Sequence, residues 1–280
     1  MNRFVFRGQS LPLGARTYVM GILNVTPDSF SDGGRYFDPA DAVRHARQIQ
    51  AEGADILDIG AQSTRPGHVP VSPQEEWDRL SPVLEALKGE AELPLSIDTY
   101  YPEVARRSLE AGASIINDVS GQINPEMFEL IAEYRAGYIA MHTGPGGDAD
   151  HPAEYPCGVV PDVREFFDRV CRELRRYGVT EEQICLDVGT GFGKTQEQNL
   201  ELLRDLDKTR INGCALLVGA SRKRVIAIPS GESEPTRRMP GTVAAHTAAI
   251  AGGADLIRVH DVWAAVQAAR VADAIYRTHA

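Results

Sequence analysis

The sequence is poor in cysteine, and its cysteines lack the spacings of a redox or metal site. The four are Cys157, Cys171, Cys185 and Cys214, and no two of them form a C-x-x-C pair. Cys185 and Cys214 lie in or beside apolar runs, which predicts small buried side chains. Because disulfides are rare in reducing compartments, the simplest interpretation is that the thiols are reduced and the protein is cytoplasmic.

Further absences exclude other classes of protein. Lysine and arginine total 29 against 39 aspartates and glutamates, the net charge is −10, and the basic residues are dispersed. This argues against a nucleic-acid-binding surface. The amino terminus has no long apolar segment, so we predict neither a signal peptide nor a membrane span. His142, His246 and His260 lack H-x-x-x-H spacing, which argues against a zinc or iron cage.

What the chain has instead is a series of eight short apolar runs, nearly all of which end in a polar residue or glycine. The runs are VMGILN (19–24), DILDIG (55–60), PLSID (94–98), SIIN (114–117), YIAMH (138–142), ICLD (184–187), ALLVG (215–219) and LIRVH (256–260). Helical segments are predicted between and after them, at 38–52, from 72 onward, and at 102–111, 125–135, 161–177, 195–207, 238–251 and 261–277.

Strands that alternate with helices pair in parallel through right-handed crossovers. Eight such units predict an α/β fold, a (β/α)8 TIM barrel, and a doubly wound open sheet is the alternative. No linker, repeat or low-complexity tract divides the chain, so we predict one domain over residues 1–280. The first eighteen residues, with an apolar segment at 4–6 and a turn near Arg7 and Gly8, predict a β-hairpin that closes the barrel bottom.

In a TIM barrel the carboxyl ends of the strands carry the active site, and three of these ends favour an anion. The segment Ser63–Gly67 follows the second run and contains Thr64 and Arg65, and Ser221–Arg224 follows the seventh run. Arg258 and His260 are two residues apart on the eighth strand and therefore face the same side. We predict a phosphate-binding site here, and the alternative is that these are solvated loop residues.

Other strand ends suit a flat nitrogen heterocycle. A carboxylate accepts two parallel N–H bonds from an amino-pyrimidinone edge, so either Asp98 or Asp187 could bind such a ring, and a structural ion pair is the alternative for each. Asn117 both donates and accepts, and its neighbour Asp118 is expected to be structural. Asn24 offers an oxygen of the kind that Mg²⁺ accepts beside phosphate, although an asparagine in a turn usually bonds to backbone.

The glycine-rich segment 187–195 does not have the spacing of a P-loop. We interpret it as a loop whose backbone approaches a flat ligand, with Phe192 as an apolar wall. Lys194 begins the sixth predicted helix and Lys223 lies in the cationic seventh loop. We therefore expect substitution of Lys223 to impair binding and turnover far more than substitution of Lys194.

The order of motifs in the chain resembles the dihydropteroate synthase family. The opening segment MGILNVTPDSFSDGG (20–34) is followed by STRPG (63–67), SIDT (96–99), INDVSG (116–121), GFGKT (191–195), SRK (221–223) and RVHDV (258–262). The resemblance covers residues 20–262, essentially the whole predicted barrel. It implies condensation of 6-hydroxymethyl-7,8-dihydropterin diphosphate with 4-aminobenzoate to give dihydropteroate and pyrophosphate, in folate biosynthesis.

The resemblance also implies roles for individual residues. The implied pterin-binding residues are Asp98, Asn117, Asp187 and Lys223, with Met141 and Ile116 as apolar walls. The implied diphosphate-binding residues are Thr64, Arg65, Arg258 and His260, with Mg²⁺ attached through Asn24. The implied aminobenzoate site, which sulfonamides imitate, consists of Thr64, Pro66, Phe192, Ser221 and Lys223. Among all of these, Lys223, Asp98 and Arg65 are the implied catalytic residues, and either Asp28 or Asp32 joins when the first loop closes.

Three departures from the family pattern keep alternatives open. Gln62 stands where the family usually has glutamate, Val188 replaces a proline, and residues 143–147 depart from the usual fifth loop. The chain could therefore be an inactive pterin-binding paralogue, and a pterin-dependent methyltransferase on the same barrel is the enzymatic alternative. Resemblance further implies a homodimer through the late helices, where the small residues Ala244, Ala245, Ala248 and Ala249 permit close packing.

Overall fold

Eight parallel strands form a closed barrel. The computed structural model describes residues 2–25, 39–62, 70–144 and 152–277. A short antiparallel hairpin, β1 (Arg3–Phe6) and β2 (Gln9–Pro12), precedes the barrel. The barrel strands are β3 (Tyr18–Asn24), β4 (Ile56–Gly60), β5 (Leu95–Asp98), β6 (Ile115–Asp118), β7 (Gly137–Met141), β8 (Ile184–Asp187), β9 (Ala215–Val218) and β10 (Leu256–Val259). They follow one another in chain order around the barrel, and β10 returns to pair with β3. The predicted TIM barrel is confirmed, and the open sheet is wrong.

Helices connect the strands and cover the barrel. They are α1 (Pro39–Ala51), α2 (Pro73–Leu87), α3 (Pro102–Glu110), α4 (Pro125–Tyr134), α5 (Val159–Arg176), α6 (Gln196–Arg204), α7 (Arg224–Ser230), α8 (Met239–Ala251) and α9 (Val262–Tyr276). The first four begin at proline, whose fixed φ suits the first turn. The Ser72 hydroxyl caps α2 by accepting from the Glu75 N–H at 3.2 Å. The sequence did not predict α7, because seven residues with a proline inside show too little periodicity.

The side chains of each barrel strand alternate between two environments. Outward-facing residues pack against the surrounding helices. Inward-facing residues of the lower barrel form a separate apolar cluster that includes Met20, Ile56, Ile115, Ile139, Cys185, Leu217 and Leu256. The same cluster contains Phe4 and Phe6 of the hairpin, both fully buried. The lower barrel is therefore a packed core.

The hairpin closes the bottom of the barrel, as predicted. Its turn places Arg7 and Gly8 at positive φ, 46° and 80°. The Arg7 guanidinium donates to the carbonyls of Leu109 and Ala113 at 2.7 and 2.8 Å, beside the start of β6. Gly137 at the start of β7 is needed because a Cβ there would lie 2.9 Å from the Phe4 ring. The missing side chain at Gly137 therefore leaves the space that the hairpin occupies at the bottom of the barrel.

Two further predictions concern the whole chain. Among the described helices, none combines the length and the apolarity that a membrane-spanning segment requires. Cys171, Cys185 and Cys214 are buried free thiols, and Cys157 is exposed. The burial predicted for Cys185 and Cys214 is confirmed, since each side chain packs in an apolar cluster.

Replacing the hairpin phenylalanine tests this account of the floor. We expect Phe4→Ala to lower the free energy of unfolding by about 3–5 kcal/mol, because it leaves a cavity in a closed apolar cluster. Val5, on the other face of β1, is only half-buried, and Val5→Ala should cost less. Urea denaturation followed by far-UV circular dichroism measures both. Equal losses in the two variants would contradict a floor built on Phe4.

Candidate active site in the upper barrel

The inward-facing residues change from apolar to polar halfway up the barrel. The change occurs from Ile56 to Asp58 in β4, from Ile115 to Asn117 in β6, from Cys185 to Asp187 in β8 and from Leu256 to Arg258 in β10, whereas the inward-facing Ser96 and Asp98 of β5 are both polar. All of these polar residues are buried except Arg258, which is partly exposed. Because buried polar groups require partners, this layer must be held by its own hydrogen bonds or by a ligand.

Arg258 joins two carboxylates across the barrel. Its Nε donates to Asp58 Oδ2 at 2.6 Å and its Nη2 donates to Asp98 Oδ2 at 2.7 Å. Burial alone would lower the pKa of this guanidinium, but the two carboxylates raise it above its usual value. The prediction that Arg258 binds diphosphate stays a prediction, and its bonds to two acids add a role that the sequence did not reveal.

Asp98 is a buried acid whose pKa is set by several neighbouring charges. Burial raises its pKa to about 7, and Arg258 opposes that shift. The neighbouring acids Asp58, Glu76 and Asp118 raise it further. The Asp98 carboxyl therefore exchanges a proton near neutral pH, within reach of the Arg258 guanidinium.

Asn117 is oriented by a carboxylate beneath it. Its Nδ2 donates to Asp58 Oδ2 at 3.3 Å, and the Ser96 hydroxyl donates to Asp58 Oδ1 at 2.7 Å. Since the amide nitrogen faces Asp58, the amide oxygen remains for a hydrogen-bond donor elsewhere. Asp118, by contrast, faces the helices and accepts from Tyr138 and Ser120, in keeping with the structural role expected for it.

Asp187 and Lys223 face each other above Gly219. A Cβ on Gly219 would lie 3.8 Å from Lys223 Nζ and 3.9 Å from Asp187 Oδ2. Asp187 Oδ1 accepts from the Gly189 N–H at 2.8 Å, and Lys223 Nζ donates to the Thr190 carbonyl at 2.8 Å. Burial lowers the pKa of Lys223 to about 8, and Asp187 opposes that shift. Lys223 Nζ also lies 4.7 Å from the centre of the Phe192 ring.

Ser221 and His260 are in direct contact. Ser221 Oγ lies 3.0 Å from His260 Nδ1, and it also accepts from the His260 backbone N–H at 3.2 Å. Burial lowers the pKa of His260 to about 3, and the nearby Arg222 and Arg258 lower it further. His260 is therefore neutral at pH 7, which corrects the sequence interpretation of it as a potential cation. Arg222 turns away and forms a two-point ion pair with Asp261.

Lys194 has a different place from the one expected. Its buried Nζ donates to the carbonyls of His142, Gly189 and Phe192 at 3.0, 2.9 and 3.0 Å. Burial lowers the pKa of Lys194 to about 7. The lysine therefore holds the glycine-rich loop together from within. The expectation that Lys194 contributes less than Lys223 to binding and turnover stays a prediction, and the structure adds that this side chain is a buried support of the loop.

The two predicted apolar walls lie on opposite sides of the sheet. Met141 ends β7 on the same face as Ile139 of the barrel interior, so it borders the polar layer. Ile116 packs in the cluster between barrel and helices, whereas its neighbours Ile115 and Asn117 face inward. The prediction of Ile116 as a wall is therefore wrong, because adjacent residues of a strand point to opposite faces.

Several predicted residues lie outside the described part of the chain. They are Thr64, Arg65 and Pro66 of the second loop and Asp28 and Asp32 of the first. One residue that the sequence did not assign is Asp58, which contacts three members of the polar layer. Its position two residues after the inward-facing Ile56 is the signal that could have found it.

Gln62, one of the departures from the family pattern, is buried and bonded. Its Nε2 donates to the Tyr100 hydroxyl at 2.6 Å, and the Tyr100 and Tyr101 hydroxyl oxygens are 3.4 Å apart. The Tyr101 hydroxyl donates to the Val71 carbonyl at 2.9 Å. This chain of hydrogen bonds connects the two ends of the segment 63–69. A carboxylate at position 62 would lack the first donor, so glutamine suits this arrangement.

The other two departures follow the ends of β7 and β8. Val188 is fully buried in the cluster beneath the helices, so an apolar side chain replaces the usual proline. The Thr143 hydroxyl donates to the Val119 carbonyl at 2.8 Å, and Gly144 packs closely against Gly193. Residues 145–147 of the altered fifth loop lie outside the described residues.

Comparison with known proteins agrees with this geometry. A family model described as pterin binding enzyme matches residues 20–260. A dihydropteroate synthase of Synechocystis sp. is 47% identical over 273 residues, which are 96% of this chain and 94% of that protein. The structure of Xanthomonas albilineans dihydropteroate synthase with 4-aminobenzoic acid has a TM-score of 0.90 and 42% identity, with 98% of both chains covered. The Yersinia pestis dihydropteroate synthase in complex with a sulfonamide drug has a TM-score of 0.89 and 38% identity, with 98% of both chains covered.

The two lysines of this site should differ in their effect on stability. Lys194→Met leaves three buried carbonyls without their donor, and each unpaired group costs about 1–3 kcal/mol unless water replaces the ammonium. We therefore expect Lys194→Met to lower the free energy of unfolding by more than about 2 kcal/mol. Lys223→Met loses one such bond and should cost about 1 kcal/mol. Urea unfolding without ligand measures both, and a larger loss for Lys223→Met would contradict the support role of Lys194.

Proposed function

This chain belongs to the dihydropteroate synthase family, and we propose that it joins 6-hydroxymethyl-7,8-dihydropterin diphosphate to 4-aminobenzoate, as a transferase of folate biosynthesis. The amine nitrogen forms a bond to the pterin methylene carbon while the bond from that carbon to the diphosphate oxygen breaks. The products are dihydropteroate and pyrophosphate. The observation that carries this proposal is one buried layer that contains three oxygen acceptors, Asp98, Asn117 and Asp187, beside the cations Lys223 and Arg258.

The acceptors match the N–H groups of a dihydropterin. Asp187 would accept from the ring N–H and the 2-amino group, and Asn117 offers an amide oxygen because its nitrogen is bonded to Asp58. Asp98 and Asp187 also provide negative charge where cationic character develops on the pterin as the leaving group departs. Lys223 lies opposite Asp187 and would donate to the ring's carbonyl, and Met141 borders the same layer.

Diphosphate would bind on the side where β9 and β10 end. Ser221 Oγ accepts from the His260 backbone and lies 3.0 Å from Nδ1, and we propose the tautomer in which the hydroxyl donates to Nδ1 and the imidazole proton lies on Nε2. That Nε2–H is a donor for a phosphate oxygen, and Arg258 supplies positive charge nearby. We propose that Thr64 and Arg65, which follow Gln62 in the chain, complete this clamp, with Arg65, Lys223 and Asp98 as the catalytic residues.

The residues at the mouth of the barrel fit a magnesium ion. Asn24 ends β3, and the facing Gly60 has no side chain; a Cβ there would lie 3.8 Å from Asn24 Oδ1 and 3.4 Å from Asp98 Cβ. The space left by the missing side chain of Gly60 suits a small cation that is bound through one protein oxygen, phosphate oxygens and water. We propose that Mg²⁺ binds here through Asn24. When bound, it would neutralise charge on the departing pyrophosphate.

The aminobenzoate site would lie between the second loop and Phe192. Ser221 and Lys223 border it, and we propose Thr64 and Pro66 as its other members. Sulfonamides resemble 4-aminobenzoate in shape and charge, so we propose that the chain is a sulfonamide target. Likeness to dihydropteroate synthases over 96% of the chain favours the synthase over the inactive paralogue and the methyltransferase.

We further propose that the protein is a homodimer. Large apolar side chains on one face of α9 are more than half exposed, namely Trp263 (61%), Val271 (62%) and Ile275 (59%). They are spaced by four or eight residues and therefore lie on one face of the helix. Together with Val243 and Thr247 of the adjacent α8 they line a shallow groove. A contiguous apolar face of two helices fits the same face of a second copy. A cytoplasmic location is also proposed, and the free thiols Cys171 and Cys214, 3.6 Å apart, support it.

Asp187→Asn tests the assignment of the pterin site. The asparagine oxygen would accept from the Gly189 N–H, so its NH₂ group would face the ring's own donors. Leaving a buried donor unpaired costs about 1–3 kcal/mol, so 6-hydroxymethylpterin should bind about ten- to hundredfold more weakly. Calorimetry measures the affinity, with Asp118→Asn as the matched control on the other face of the sheet. Unchanged affinity in folded Asp187→Asn would remove Asp187 from the site.

The order of binding gives a second test. We expect a sulfonamide to bind weakly to the free protein and several-fold more tightly with Mg²⁺ and pyrophosphate, because pyrophosphate held by Arg65, Arg258 and His260 would draw the loops over the site and enclose the aminobenzoate pocket. Asn24→Ala should abolish the part of this gain that depends on Mg²⁺. Fluorescence titration with and without each component measures it. Equal sulfonamide affinity under all conditions would contradict ordered binding.

The dimer proposal predicts a change of mass on substitution of Val271. Val271→Glu places a charge in the middle of the apolar face and should convert the dimer to a monomer in analytical ultracentrifugation. Arg270→Glu, at an exposed neighbouring position, is the control and should leave the mass unchanged. A wild-type monomer at micromolar concentration would refute the proposal.

A further inference from the structure

We propose that Asp58 is a positioning residue of the pterin site, which orients the Asn117 amide and holds the Arg258 guanidinium. This inference rests on the proposed function and extends it to a residue beneath the ligand. Asp58 is fully buried on the inner face of β4, one layer below the mouth of the barrel. It would act through its neighbours, without touching substrate itself.

The carboxylate of Asp58 is surrounded by donors from three other strands. Oδ1 accepts from Ser96 of β5, and Oδ2 accepts from Asn117 of β6 and from Arg258 of β10. A carboxylate has acceptor positions for all of these bonds and no hydrogen of its own. An ionised Asp58 therefore satisfies three donors at once, which no neutral side chain of the same size does.

The first consequence concerns Asn117. Its amide could present either the oxygen or the nitrogen to a ligand, and the bond to Asp58 selects the oxygen. The pterin edge then meets three acceptors, Asn117, Asp98 and Asp187, which matches a ring rich in N–H groups. Without Asp58, the amide is free to turn and to present donors to donors.

The second consequence concerns Arg258. Asp98 accepts from the guanidinium through Oδ2, and a shift of this carboxyl toward a ring N–H would weaken its bond to the partly exposed cation. Asp58 stays bonded to Nε at 2.6 Å, so Arg258 keeps a counter-ion while Asp98 changes partner. The negative charge of Asp58 also weakens the hold of Arg258 on Asp98 and on any anion above it.

Asp118 shows what a structural acid looks like in the same region. It is as buried as the site residues, but it lies on the outer face of β6, where it accepts from Tyr138 and Ser120. Neither partner faces the polar layer. Asp58 differs because two of its three partners are residues of the proposed ligand site.

Asp58→Asn is the variant that separates these roles. Its oxygen, in the place of Oδ2, could still accept from Arg258 and Asn117, and its nitrogen could donate to the Ser96 hydroxyl, so the fold should persist. Because a neutral amide oxygen holds both donors more weakly than a carboxylate does, Asn117 is less firmly oriented and 6-hydroxymethylpterin should bind about tenfold more weakly. Pyrophosphate should bind two- to tenfold more tightly, an estimate of about 0.4–1.4 kcal/mol from the increased positive potential at Arg258. A loss of packing alone would weaken both ligands.

Calorimetry with these two probes measures the opposite changes, and Asp118→Asn is the control that should alter neither affinity. In the background of Asn117→Ala, adding Asp58→Asn should cost less pterin affinity than it does in the wild type, because the two residues act through one contact. Asp58→Glu keeps the charge but displaces it, and it should weaken pterin binding with pyrophosphate affinity unchanged. Asp58→Glu therefore tests the positioning role if Asp58→Asn folds poorly.

The outcomes distinguish the inference from the proposed function. Loss of both affinities in folded Asp58→Asn, or of neither, would overturn the positioning role while Asp187→Asn still weakens pterin. If the wild-type protein binds no pterin, or if Asp187→Asn has no effect, the proposed site itself is wrong. Additive losses in the double variant would likewise overturn the action of Asp58 through Asn117.

Discussion

The ion pairs of Arg258 are the interaction on which the upper barrel depends. Asp58, Asp98 and Asp187 are all buried in the upper barrel, where three carboxylates without partners would be costly. The guanidinium bonds directly to two of them and shares the third with Lys223. Asp58 and Asp98 lie on β4 and β5, whereas Arg258 lies on β10. This one side chain therefore connects the first half of the barrel to the last strand.

The geometry of the strands divides the barrel into two zones. Side chains of alternate residues face inward, so β4, β6, β8 and β10 each give an apolar residue to the floor and a polar one to the layer above it. Phe4 and Phe6 complete the floor from outside the barrel and exclude water from below. The polar layer is therefore open to solvent and ligands only from the mouth, which is where the glycine-rich loop and Lys194 lie. The packed floor lowers the dielectric constant around the site, and ligands reach the site from the side of the loops.

Much of this could be predicted from the sequence, and what could not has identifiable causes. The alternation of apolar runs and helical segments predicted every barrel strand, and the polar run endings predicted Asp98, Asn117, Asp187 and Lys223 near one another. Ile116 was assigned wrongly because a motif does not state which face of its strand a residue occupies. The support that Lys194 gives to the glycine-rich loop was not predicted, because its three carbonyl partners come from two separate loops. The neutrality of His260 follows from burial, which a sequence does not record.

The closure of the barrel has a consequence for how the chain is made. β10 lies between β3 and β9, and Asp273 of the last helix accepts from both the backbone and the hydroxyl of Thr17. The first barrel strand therefore lacks its second neighbour until the final strand leaves the ribosome, roughly 10–50 s later at typical synthesis rates of 5–20 residues per second. For that interval β3 is an open edge, ready to pair with a strand of another nascent chain. The hairpin is synthesised before the barrel strands and has no barrel to close until β10 is made. Production of this protein should therefore depend on how well the open edge of β3 is kept from pairing with other nascent chains.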